Sequence, residues 1–390
     1  MAEPESPHLF PRVQVRHRVF RGLRNDRQEH VFTWITVVIV LLYITGWIGA
    51  IHDVIEQRRA IARMAREAGV KLPPAVSLPA PQIATQIFQP QAPTTAFIDD
   101  AMLGFLNPLR GRSGKVFFTT VTPGGSIAAG APGGAKSVLT GGNSDNVASD
   151  FTAPEQPGVY KLAVQLNQAV RQLDDFSVIT LVPFSQKQAG HIGAYYLGSW
   201  PFERGGTPKT PEYANPAGFI EVTQANADTP ISAHFRLRDF LTKDQPNVWP
   251  KYLLLNPKLL DKLELTIQEL EAAGHPVKRF RIMSGFRTPE YNHGGGNTQG
   301  RANLSRHMYG DASDTFVDND GNGVMDDLNH DGRVDLRDAE VVQQAVERVE
   351  SKNPSLVGGV GVYSACCGHG PFTHIDVRGY RARWKGTGSG

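Results

Sequence analysis

The chain has almost no cysteine: two residues, Cys366 and Cys367, side by side. No disulfide framework can hold the fold, and a pair of partly buried thiols is the expected state, since a bridge between neighbours is strained. A charge excess is also missing, with 40 Lys and Arg against 38 Asp and Glu for a formal net charge of +2. That balance argues against a nucleic-acid binder held by bulk positive charge. The 40 glycines and 27 prolines cluster without a fixed period, which excludes a collagen-like chain and disorder throughout. With 390 residues there is room for two or more cores.

One long hydrophobic run is present. Residues 31–51, VFTWITVVIVLLYITGWIGAI, carry no charge, and as a helix they span about 30 Å, the thickness of a bilayer's hydrocarbon core. A cleaved signal peptide would have a shorter apolar region and a briefer charged leader than residues 1–30. A transmembrane anchor over 31–52 is therefore expected. Arg12, Arg16, Arg18, Arg21, Arg24 and Arg27 precede the run, and five basic residues follow it by Lys71. Charge alone leans only slightly toward a cytoplasmic N-terminus.

Residues 53–150 read as a helical stalk followed by a linker, with prolines from Pro73 to Pro93 and glycines from Gly104 onward. Between 151 and 225 the runs GVYKLAVQL, FSVITLVPF, HIGAYYLGSW and AGFIEVT are separated by Pro/Gly-rich breaks. They predict a small β domain.

The last part of the chain carries the chemistry. Asn256 and Pro257 open a helix with Leu259, Leu260, Leu263, Ile267 and Leu270 on one face, and Gly274 closes it. VKRFRIM reads as a strand ending at Ser284, and SGFRTPEYN as the loop after it. Arg287 on that loop has the planar fork that clamps a carboxylate. In SRHMYGDASD, His307 and Asp314 are seven apart with small residues between them, and both are good zinc ligands. In the strand THIDVR a two-residue period puts His374 and Asp376 on one face. Two His and one Asp leave a fourth metal position open, as a catalytic zinc requires.

SGFRTPEYN, then SRHMYGDASD, then GGVGVY and GPFTHIDVRGYRARW, resemble the zinc D-alanyl-D-alanine carboxypeptidase-like and murein endopeptidase family from about Phe235 to Trp384, within a domain of 235–386. The resemblance implies an α+β fold with a central antiparallel sheet and zinc at His307, Asp314 and His374. It also implies hydrolysis of peptidoglycan peptide stems containing D-amino acids, and a role for Arg287 in holding a substrate carboxylate or carbonyl oxygen. Peptidoglycan lies outside the inner membrane, so the resemblance further implies a single-pass inner-membrane protein, N-terminus inside and enzyme in the periplasm. Many relatives have a general base two or three residues before the last zinc His, where this chain has Phe372 and Pro371. Asp376, as base or as the carboxylate that orients His374, and then His369 are the candidates. A zinc- and calcium-stabilised peptidoglycan-binding protein without activity is the alternative.

Residues 318–338 add an insertion resembling EF-hand and dockerin calcium loops. Asp318, Asp320, Asn322, Gly323, the Val324 carbonyl, Asp326 and Asn329 fall at positions 1, 3, 5, 6, 7, 9 and 12 of such a loop. A second register runs through Asp327, Asn329, Asp331, Gly332, the Arg333 carbonyl, Asp335 and Asp338. The registers share Asn329, and neither ends in Glu. A structural calcium, in one or two sites, is expected.

Overall fold

The computed structural model describes residues 109–386, except 128–134, 142–143, 150, 167–168, 209, 297, 299–300 and 367. The expected membrane anchor and stalk lie outside the described residues. Among the described residues, no helix is long and apolar enough to cross a membrane.

The first sheet has five strands: β1 (Phe118–Val121), β2 (Ala135–Gly141), β3 (Ser144–Ser149), β4 (Gly158–Leu166) and β5 (Ala169–Thr180). Their order is β1-β5-β4-β2-β3, with β1 parallel to β5 and the other pairs antiparallel. Alternation along β4 buries Tyr160, Leu162 and Val164 on one face, together with Leu139, Phe176 and Val178. The β region thus begins at Phe118 rather than at 151. Short strands here lie between glycines, and composition alone reads such a stretch as linker.

After β5 the chain leaves this sheet well before residue 225. β6 (Val182–Pro183), the hairpin β7–β8 (His191–Ile192, Tyr195–Tyr196) and β9 (Gly218–Val222) belong instead with β10 (Lys251–Leu253), in part through a sheet ordered β10-β9-β6. Val182, Tyr195, Trp200, Phe219 and Val222 share one apolar core with the C-terminal elements. Phe118 and Ile179 of the first sheet also belong to that core, so the strands between 151 and 225 are shared among several sheets.

The third sheet carries the candidate chemistry. It contains β11 (Phe280–Ser284), β12 (Ala312–Val317), β13 (Gly359–Tyr363), β14 (Phe372–Asp376) and β15 (Ala382–Gly386), in the order β11-β12-β14-β13-β15. All pairs are antiparallel except β13 with the edge strand β15, which run parallel. Three helices accompany it: α1 (Pro257–Ala272), the short α2 (Pro289–Gly294) and α3 (Leu336–Lys352). Asn256 caps α1 by accepting from the Lys258 amide at 3.0 Å. Its buried stripe of Leu259, Leu260, Leu263, Ile267 and Leu270 meets Ala339, Val342, Ala345 and Val346 of α3 in the same core. Each fully buried aliphatic side chain of this kind contributes about 1.5–3 kcal/mol. The architecture is mixed α and β, with several sheets and few helices.

Strand register aligns one cross-strand row through this sheet: Ser284, Asp314, His374, Gly361 and Trp384. A Cβ on Gly361 would lie 2.2 Å from Trp384 Nε1, so a larger residue there would displace the indole.

Candidate metal centre

His307, Asp314 and His374 are buried and bring one ligand atom each to a common point. His374 Nδ1 lies 2.9 Å from Asp314 Oδ1, His307 Nε2 lies 3.3 Å from that oxygen, and the two nitrogens are 3.2 Å apart. Tetrahedral zinc ligands at about 2.0–2.1 Å from the ion stand about 3.3 Å from one another. The triangle of side chains has nearly that size.

The local folding explains the triangle. Asp314 and His374 are direct partners on β12 and β14. His307 comes from the single turn Arg306–Tyr309, which Gly310 ends in the left-handed conformation, φ +71°. A Cβ at Gly310 would fall 2.3 Å from the Leu254 carbonyl, so this tight entry into β12 needs glycine. The loop after β11 locks both ends. Gly285 O lies 2.7 Å from His307 Nδ1, and Arg287 donates through Nη2 to Asp314 Oδ2 at 2.5 Å. Ser284 Oγ accepts from Arg287 Nε at 2.8 Å.

Proton placement follows from the partners. A carbonyl only accepts, so His307 Nδ1 carries the proton and Nε2 presents a lone pair. On His374 the outer nitrogen Nε2 lies 3.1 Å from Asp376 Oδ2. Asp376 is fully buried and also accepts from the Gly359 amide at 2.6 Å and from Arg378 Nε at 2.8 Å. Burial opposes its charge, but the hydrogen bonds from His374 and Arg378 outweigh that cost and hold the carboxyl far below its ordinary range. It is an acceptor, so Nε2 of His374 carries a proton and Nδ1 turns toward Asp314. Three lone-pair donors thus converge, a set that one shared cation would satisfy.

The imidazoles respond in opposite directions to this crowding. Burial first, and then Arg287, push His307 down to about 4. Burial also pulls His374 down, yet its bonds to Asp314 and Asp376 raise it overall. Asp314 is pushed up by burial but lowered further by His307 and Arg287, and it remains a carboxylate.

The other expected site residues separate into two groups. Arg287 and the three ligands line one cleft of about 400 Å³. His369 lines a different cleft, of about 1160 Å³, with its Nδ1 2.8 Å from Gly370 O. Its ring packs 5.1 Å from that of Phe372, which lines the cleft of the three ligands. Asp376 sits behind His374, ion-paired to Arg378, and this geometry favours the orienting role over that of a base. Sequence reasoning gave no part to Tyr363, Trp384, Arg301, Arg306 or Arg378, all of which line the cleft. Trp384 donates through Nε1 to Tyr363 Oη at 2.6 Å and packs 5.2 Å from the His374 ring. Asp314 is the only carboxylate among the described residues lining this cleft.

In the insertion, Asp318, Asp320 and Asp326 converge within 4.8 Å. Both registers fold alike at their start. Asp318 accepts from the Gly323 amide at 3.3 Å, and Asp327 from the Gly332 amide at 2.8 Å. Asp320 accepts from the Asn322 amide, Asn322 from Val324, Asn329 from Asp331, and Asp331 from Arg333. The second register then diverges. Asp335 caps α3, and Asp338 accepts from the Leu328 and Asp335 amides. Its acids form no convergent group among the described residues.

Cys366 is disulfide-bonded, contrary to the expected pair of thiols. The chain's other cysteine is Cys367.

Compared with known proteins, the chain matches no family model, no curated protein and no solved structure.

Proposed function

We propose that the chain is a membrane-anchored zinc metallopeptidase that hydrolyses peptide bonds in peptidoglycan stems or cross-links. The observation that carries this reading is the convergence of His307 Nε2, His374 Nδ1 and Asp314 Oδ1, each turned inward by a partner behind it. Two imidazoles and a carboxylate are the donor set zinc favours, and three protein ligands leave one position for water or substrate. Bound there, zinc supplies Lewis acidity and lowers the pKa of water. The specific substrate class rests on the motif resemblance, as do the periplasmic site and the cytoplasmic N-terminus.

The chain's own residues have distinct tasks in this proposal. Asp376 fixes the tautomer of His374 and Gly285 that of His307. Arg287 occupies the outer oxygen of Asp314 and sets a cation at the cleft wall, where it can hold a carbonyl oxygen as negative charge develops. Tyr363 is our candidate for moving the proton. Its oxygen accepts from Trp384, so its own hydrogen points elsewhere, and burial raises its pKa so that the phenol stays protonated at neutral pH.

We further propose a structural calcium at Asp318, Asp320 and Asp326, whose oxygen-only donor set suits a hard cation. A second reading, a zinc-stabilised binding protein without activity, draws on Asp314 being the only carboxylate among the described residues that line the cleft. Digestion separates the two. Full-length protein with zinc and calcium is incubated with intact peptidoglycan and with pentapeptide stems, and products are read by mass beside His307→Ala. Cleavage abolished by the substitution supports the peptidase. Zinc bound without cleavage supports the binding protein.

A further inference from the structure

Four arginines line the cleft that holds the His307–Asp314–His374 centre: Arg287, Arg301, Arg306 and Arg378. Three are neutralised by carboxylates of the chain itself. Arg287 pairs with Asp314, Arg306 with Asp311 and Arg378 with Asp376. Arg301 differs. Its Nη1 donates to two backbone carbonyls, Tyr291 O at 2.7 Å and Gly295 O at 2.8 Å, and its guanidinium lies 5.0 Å from the Tyr291 ring centre. Neither contact supplies a full negative charge. Its Nε is buried and has no hydrogen-bond partner.

We propose that Arg301, the cleft arginine that holds no carboxylate of the chain, is a specificity residue whose guanidinium receives a carboxylate of the substrate. This rests on the zinc-peptidase reading and narrows it to substrates that place an anionic group beside the scissile bond. The chemistry follows from what is already satisfied. Two carbonyls fix Nη1 and thereby the plane of the fork. A guanidinium held in this way presents its charge and remaining donors to a carboxylate in a fixed plane.

The electrostatic setting points the same way. Burial first, and then the neighbouring Arg287 charge, make the cationic form of Arg301 less favourable. An arriving anion relieves both, whereas a neutral group relieves neither. The same logic disfavours the other three arginines as partners for a substrate carboxylate, since each already holds a carboxylate of the chain.

The carboxylate has two possible sources in a peptide stem, the free C-terminus or an acidic side chain, and the test distinguishes them. Full-length protein in detergent is titrated calorimetrically, zinc-free and zinc-loaded, with three peptides of one sequence. One has both carboxylates free, one is amidated at the C-terminus, and one is amidated at the side chain. Wild type should bind one amidated peptide on the order of 10- to 100-fold more weakly than the free acid, and which one names the source. Arg301→Gln should lose that discrimination, with zinc stoichiometry and melting temperature kept. Arg301→Lys, which retains charge without the fork, should keep part of it.

Equal binding of all three peptides by wild type would overturn the proposal, and so would equal weakening of all three by Arg301→Gln. If discrimination depends on Arg301 but no peptide is cleaved, the carboxylate site stands and the peptidase reading falls. Cleavage without discrimination has the opposite meaning.

Discussion

Asp376 stands 3.1 Å behind His374, and the proton between them turns the other ring nitrogen toward Asp314. Loss of that carboxylate frees the imidazole to rotate and to exchange tautomers. Asp376→Asn is expected to weaken zinc about 10- to 100-fold, measured by competition with a chromogenic chelator. Unchanged zinc affinity with abolished cleavage would instead assign Asp376 to proton transfer.

Arg287 holds the outer oxygen of Asp314, and Arg287→Lys keeps the charge without the fork. Zinc should remain bound while cleavage falls about 10²- to 10³-fold, mainly in kcat. Tyr363→Phe removes the proposed proton donor and leaves its stacking on Phe372 intact. It should lower kcat by about 10²-fold or more with little change in KM, as steady-state kinetics on a stem peptide would show.

Protons should accompany zinc binding. His374 is raised above its ordinary pKa and so holds a second proton at neutral pH more readily than a free imidazole, while His307, lowered to about 4, is already neutral. Zinc must displace the His374 proton. Calorimetry in buffers of different ionisation heat should report proton release on zinc binding that grows as pH falls. The release should shrink as pH rises above the His374 value, and zinc affinity should fall as pH drops below it. Proton release that does not change with pH would count against this arrangement.

Calcium at Asp318, Asp320 and Asp326 would tie the insertion to β11, because Asp318 also pairs with Arg281 at 2.7 Å. A ligand at 100 times its Kd stabilises a fold by about 2.7 kcal/mol. Mild chelation should therefore lower the melting temperature by about 5–10 °C before zinc is lost. An identical melting curve with and without chelator would contradict the site.

Much of the centre was legible because its signals are local in sequence. His307 and Asp314 are separated by one tight turn, and His374 and Asp376 by the period of a strand. The α1 cap at Asn256 and the apolar stripe after it are equally local. What escaped depends on pairing across long separations. β1 and β2 are brief, glycine-flanked strands whose only warrant is their register with β4 and β5. β15 joins β13 in parallel, and that placement brings Trp384 over His374. Arg301 has no local signal at all. Its meaning appears only when three neighbouring arginines are seen to be already paired. His369, close to His374 in sequence, lines a different cleft.

In the proposed centre, three inward-facing lone-pair donors hold one zinc ion. Elemental analysis of full-length protein, purified without added metal chelators, tests it most directly when wild type and His307→Ala are compared after equilibration with zinc and calcium. The account predicts about one zinc per wild-type chain and its loss in the variant, with calcium content unchanged. Wild-type protein that takes up no zinc, or a variant that keeps it, would contradict the account.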